Sequence, residues 1–172
     1  MSFLLLLAAY LTLLVAIACK DYKKILALNV FSCLLAAAYL FFNDALVGAS
    51  ISTLAAFGSF SQLCLPKQEC KLLKVTRNSI AGFLCMIATV ILYSKPSDIL
   101  PCLAFCNNRI MEAQGNAQLV RLGLAVGGLL WGIYGFYNGL YLYTLAEMLV
   151  CVSGLWIYLR TQRGLCTQSA LQ

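Results

Sequence analysis

Apolar residues run through this chain in long blocks separated by short polar connections. The blocks span residues 3–18, 25–42, 45–65, 79–94, 98–113, 119–137 and 140–159. Crossing a hydrocarbon core takes about 20 apolar residues in a helix, and a helix satisfies its own backbone polar groups, as lipid requires. The pattern therefore predicts seven membrane-spanning helices. The first, fourth and fifth blocks are short, and Asn107, Asn108 and Arg109 interrupt the fifth.

Composition strengthens this picture. Of 172 residues, 62% are apolar and 10% charged, against about 45–50% and about 25% in an ordinary soluble domain. The expected class is an all-α integral membrane protein of the inner (plasma) membrane, with the lipid bilayer as its first partner.

Charge fixes the expected orientation. Lys20, Lys23 and Lys24 follow the first block, Lys67, Lys71, Lys74 and Arg77 the third, and Arg160 and Arg163 the seventh, while Arg121 precedes the sixth. The alternate connections carry little positive charge, holding Asn43 with Asp44, Lys95 with Asp98, and Asn138 with Gly139. Basic connections stay in the cytoplasm, which places the amino terminus outside and the carboxyl terminus inside. Omitting the fifth span would put Arg121 and the basic tail on opposite sides. The net charge of +6 follows from this asymmetry and calls for no nucleic acid. A cleaved signal peptide carries positive charge before its apolar run, whereas here the lysines come after, so the first block is expected to remain as a span.

One phrase recurs. YLFFNDALVGAS, from Tyr39, is echoed by YGFYNGLYLYTL, from Tyr134. The tyrosines lie 95 positions apart, as do Asn43 and Asn138, Phe41 and Phe136, and Leu54 and Leu149. Ser32, Cys33 and Ala37 fall on Gly127, Gly128 and Gly132. The second and third spans thus correspond to the sixth and seventh, and the first would match the fifth. The expected fold is two parallel three-helix bundles joined by a linker helix, a 3+1+3 order with the units related by an axis along the membrane normal. The first unit covers residues 1–65, the basic connection and linker helix 66–95, the second unit 96–160 and a cytoplasmic tail 161–172.

The aromatic stretch with its Gly-Ala, the PSDILP segment from Pro96 to Pro101 and Ala146-Glu147 within LYLYTLAEMLVCVSGLWIYLR resemble the YgjV-like bacterial inner-membrane proteins over most of residues 26–160. In architecture the chain is similar to the SWEET and PQ-loop transporters. That second resemblance implies transport, and it implies prolines acting as hinges in several core helices. Here the prolines are Pro66, Pro96 and Pro101, and only Pro101 lies near the start of a core span, so glycine would have to take the hinge role.

Glu147 is read as the acidic residue set well inside a span, about 12 Å from the outer turn at helical rise, with Arg109 about 16 Å deep by the same count. Ionisable groups in a membrane are costly and mark function by default. The candidate substrate site is therefore Glu147, Asn107, Asn108, Arg109 and Ser52, the last being the repeat position of Glu147. The bland alternative is a Glu147–Arg109 pair that only fixes helix packing, since polar side chains also join helices.

Gly123, Gly127, Gly128 and Gly132 supply two GxxxG spacings in the sixth span, which let helix backbones approach closely. The nine cysteines come without histidine and without Cys-x-x-Cys. Most are read as small apolar residues; Cys102 and Cys106 share a helical face but are too few for a metal, and Cys70 and Cys166 are expected reduced in the cytoplasm. No cofactor is expected. With no histidine, phosphate loop or nucleophile elbow, no enzyme is expected either. The function expected is transport of a small polar solute, the alternative being a non-transporting structural or partner-binding membrane protein. Two repeats in one chain permit a monomeric pathway, and an oligomer stays open.

Overall fold

A computed structural model describes residues 2–64 and 71–169, with side chains outside the described set at residues 2, 71 and 163–169. Lys67 and Cys70, and the side chains of Lys71, Arg163 and Cys166, which the sequence assigns to the cytoplasmic face, lie outside the described residues. The described chain is helical throughout: α1 Ser2–Ala18, α2 Tyr22–Phe41, α3 Leu46–Cys64, α4 Lys71–Leu92, a 3-10 turn Pro96–Asp98, α5 Ile99–Glu112, α6 Ala117–Tyr137 and α7 Tyr141–Ser169. Five of these, α2, α3, α4, α6 and α7, are long and apolar enough to cross a membrane; α1 is a shorter apolar helix and α5 has 14 residues.

Two boundaries depart from the apolar pattern. α4 starts at Lys71, inside the basic run read as a connection, and α7 continues to Ser169, past the end of its apolar block. Lysine and arginine are good helix formers, and their long stems let the charge reach the interface from a helix end. Charge ends the span without ending the helix.

Short connections force successive helices antiparallel. α1 packs on α2, α2 on α3, α5 on α6 and α6 on α7, while α3 meets α5, α1 meets α7, and α4 packs on α3 and α5. α4 offers most of its surface to the surroundings, with Phe83, Val90 and Ile91 all exposed. Apolar exposure on this scale suits lipid and not water.

The spacing of 95 recurs in the backbone. α2 and α6 start 95 residues apart, as do α3 and α7. Asp21 caps α2 by accepting from Lys23 N at 2.8 Å, and Asn116, at the same repeat position, caps α6 by accepting from Gln118 N at 2.8 Å. Such caps satisfy amides that have no partner within the helix.

At the opposite end Asn43 Nδ2 donates to Tyr39 O and Asn138 Nδ2 to Tyr134 O, each at 2.7 Å. The next residue turns the chain in the left-handed region, Asp44 with φ 56° and Gly139 with φ 72°. Glycine adopts that conformation freely, and aspartate is among the few other residues that tolerate it. Asp98 closes the remaining turn on this face, its carboxylate accepting from Ser94 N, Ser94 Oγ and Lys95 N at 2.9–3.0 Å.

Because both asparagines do the same work, Asn43→Ala and Asn138→Ala should destabilise alike, each by about 1 kcal/mol for one lost hydrogen bond. Denaturation in detergent micelles measures this. A large loss at one site with none at the other would mean the two turns are not equivalent.

Candidate functional site

Six helices enclose a cavity of about 50 Å³, and α4 contributes nothing to its wall. A water needs roughly 10–15 Å³ of such space, so the cavity as built holds a few waters and not a sugar. Most of its lining comes in pairs 95 residues apart, Ser32, Arg109 and Tyr143 being the exceptions: Tyr10 with Phe105, Leu13 with Asn108, Ser52 with Glu147. Asn29 with Leu124, Cys33 with Gly128, Ala36 with Trp131 and Ala55 with Val150 extend the same rule. Corresponding positions of the repeat therefore meet at one place.

Of the five residues predicted to form a polar site, Ser52, Asn108, Arg109 and Glu147 line this cavity. Asn107 does not; its Nδ2 donates to Gly123 O at 2.9 Å and to Asn108 Oδ1 at 3.1 Å, tying α5 to α6.

The charged groups do not form the Glu147–Arg109 pair weighed as the alternative reading. Glu147 Oε1 accepts from Tyr10 Oη at 2.5 Å, a bond from α1 to α7 between two buried side chains. Arg109 pairs instead with Glu112, one turn along its own helix, with Nη2 to Oε1 at 2.7 Å. The reason is the length of α5. It ends at Glu112, so Arg109 lies one turn from the end that carries the basic connections, and the nearest carboxylate is three residues on. Ser59 of α3 accepts from Arg109 Nη2 at 2.7 Å and donates to Glu112 at 3.1 Å, and Asn29 of α2 donates to Ser59 Oγ at 3.1 Å and to Glu112 Oε1 at 3.3 Å. Gly58 makes room for this network, since a Cβ there would sit 2.5 Å from Arg109 Nη1.

Contacts across the chain close the space on both sides of the cavity. Towards the asparagine turns, Tyr39 stacks on Tyr143 with ring centroids 6.0 Å apart, and Gly48 N donates to Tyr134 Oη at 3.2 Å. These two contacts are counterparts, because Tyr39 and Tyr134, like Gly48 and Tyr143, are 95 apart. Trp131 packs edge-on against both Tyr134 and Tyr143. Towards the basic face, Arg121 donates to the carbonyls of Ile17 and Cys19 at the end of α1, and Tyr22 Oη donates to Glu112 O at the end of α5 at 2.7 Å.

The glycines of α6 serve two neighbours. A Cβ at Gly127 would lie 2.8 Å from Asn108 of α5, and one at Gly123 would lie 2.8 Å from Met111. One at Gly132 would lie 2.2 Å from Met148 of α7, and one at Gly128 3.0 Å from the Glu147 carbonyl. Both spacings are thus used inside the chain, one against α5 and one against α7.

Reading the sequence alone misses Tyr10, Asn29, Ser59, Glu112 and Tyr143. Glu112 had a signal, the i, i+3 spacing to Arg109 that lets helical side chains meet. Tyr10 had none, being one aromatic in an apolar block.

A helical bundle with exposed apolar sides and buried polar side chains at its centre defines a multi-spanning membrane protein. The chain belongs to the Imp-YgjV family of bacterial inner membrane proteins, whose family model matches residues 1–164. No curated protein and no solved structure matches it.

The Arg109–Glu112 pair gives a direct expectation. Arg109→Met strands a buried carboxylate and should cost about 3–5 kcal/mol, whereas Arg109→Met with Glu112→Leu should recover much of that loss. Unfolding of both variants in detergent tests this. A double variant as unstable as the single one would show that the pair's charge is not the issue.

Proposed function

We propose that the chain is built as two parallel three-helix units, α1–α3 and α5–α7, joined by α4, with the amino terminus outside and the carboxyl terminus in the cytoplasm. On this reading it is a SWEET-like transporter that moves a small polar solute through the cavity between the units. The observation that carries the proposal is the pairing of the cavity lining at a spacing of 95. Transporters built from such repeats bind substrate near the midplane, where the repeats meet.

The cavity offers donors and acceptors of both kinds, Asn29, Ser52, Asn108, Arg109 and Glu147. Such a lining suits a neutral or zwitterionic solute with several hydroxyl or amide groups. At about 50 Å³ the cavity must widen to admit one. On this reading the closed cavity is an occluded form, with Tyr134 on Gly48 and Tyr39 on Tyr143 as its outer closure and Arg121 on α1 and Tyr22 on α5 as its cytoplasmic one. The Tyr10–Glu147 bond also supports a second reading, in which the polar centre is only interhelical glue and the protein transports nothing.

Cysteine labelling separates the two. In a chain freed of its nine native cysteines, Ser52→Cys and Asn108→Cys should react with a membrane-impermeant thiol reagent, and Tyr134→Phe should raise the rate from the outer side. If neither position labels from either side in folded protein, the centre is sealed and the structural reading stands.

A further inference from the structure

Arg109 faces two spaces. Together with Phe105 it lines the central cavity, and the same two residues line a groove of about 280 Å³ between α4 and α5. The guanidinium lies 5.5 Å from the centroid of the Phe105 ring, so the two side chains form the partition between cavity and groove. The α4 wall of the groove is Val75, Asn78, Ser79 and Gly82. Val75 and Ile110, at its edges, are 54% and 57% exposed, so the groove opens to the lipid.

The hydrogen bonding of Arg109 is incomplete. Nη2 serves both Ser59 and Glu112, while Nε is buried without a partner, and among the described residues Nη1 has no hydrogen bond. A donor left open beside an apolar groove is costly in hydrocarbon. The groove also lies at a particular depth. Arg109 is three residues from the end of α5, about 4–5 Å at helical rise, and Asn78 is seven residues from the start of α4 at Lys71. Both helix ends lie on the basic face, where headgroups meet acyl chains.

We propose that this groove is a site for one anionic phospholipid of the leaflet on the basic face. Its phosphate accepts from Arg109 Nη1 and Asn78, and an acyl chain lies along Val75, Gly82 and Ile110. Glu112 neutralises much of the guanidinium's charge, so Arg109 contributes donors with a fixed fork geometry. Lys74, beside Val75, supplies attraction of the kind that draws basic segments to anionic headgroups. The proposal does not depend on transport. It does make the lipid a neighbour of the partition residues, so lipid occupancy bears on the cavity wall.

The test uses the full chain in detergent, offered phosphatidylglycerol or phosphatidylcholine, with bound lipid read by native mass spectrometry and stability read by thermal unfolding. Gly82→Leu is the informative variant. A Cβ at Gly82 meets nothing within 4 Å, and leucine favours helix over glycine, so the variant fills the groove without disturbing the Arg109 network. The native chain should retain one phosphatidylglycerol and melt higher with it, and Gly82→Leu should bind it about tenfold less, or about 1.4 kcal/mol, with its lipid-free melting no lower than the native chain's. Arg109→Lys keeps a cation for Glu112 but loses the open donors, and should lose the preference for the anionic lipid. Equal retention of phosphatidylcholine by the native chain, or undiminished phosphatidylglycerol binding by Gly82→Leu, would overturn the site.

Discussion

Lipid offers no hydrogen bonds, and every polar group at a helix end must be tied off by the chain or reach the interface. Here the ties are short and specific. Asn43 and Asn138 return their amides to the last turns of α2 and α6, and Asp98 gathers the amides that follow α4. On the basic face Arg121 and Tyr22 donate to the final carbonyls of α1 and α5. Each of those last two bonds comes from a helix outside the hairpin it caps by sequence, α6 on α1 and α2 on α5. The need to satisfy helix ends therefore also binds distant parts of the chain together, and separating those parts means finding new partners for the same carbonyls.

The chemistry at the centre is divided between repeat positions rather than duplicated. Tyr10, Asn29 and Leu13 have Phe105, Leu124 and Asn108 at the positions 95 residues on, and Ser52 stands against Glu147. Duplication would fail physically. Glutamates at both 52 and 147 would line one small cavity, and two carboxylates sharing a site cannot both ionise cheaply. A tyrosine donor in one copy facing a carboxylate in the other gives a satisfied bond, as Tyr10 and Glu147 do. Positions 95 residues apart can line one cavity because their side chains are complementary rather than alike.

This division explains what could be read from the sequence. The helices and the turn phrase were legible because length, hydropathy and local turn chemistry act within a few residues; Asn43 and Asn138 repeat because the same backbone turn needs the same amide. The membership of the polar centre was legible in part, since Ser52, Asn108, Arg109 and Glu147 are polar residues in apolar blocks. Their partners were not. Choosing between Glu112 and Glu147 for Arg109 depends on which neighbour the guanidinium faces near the end of a helix of only 14 residues, and a depth count along the block does not give that. Tyr10 offered no cue at all, because its role comes from which face of α1 meets α7.

The two seams where the halves of the chain meet are not alike. α3 meets α5, and α4 packs over both. α1 meets α7 at the corresponding place, and among the described residues no helix is packed over that pair in the same way. The covered seam holds the ionic network, with Ser59 of α3 between Arg109 and Glu112 of α5. The uncovered seam is joined by the Tyr10–Glu147 bond. The ion pair itself lies within α5, and Ser59 is the α3 side chain that ties it across the covered seam. Glu147 thus stands at the seam that α4 leaves uncovered, held by the single hydroxyl of Tyr10.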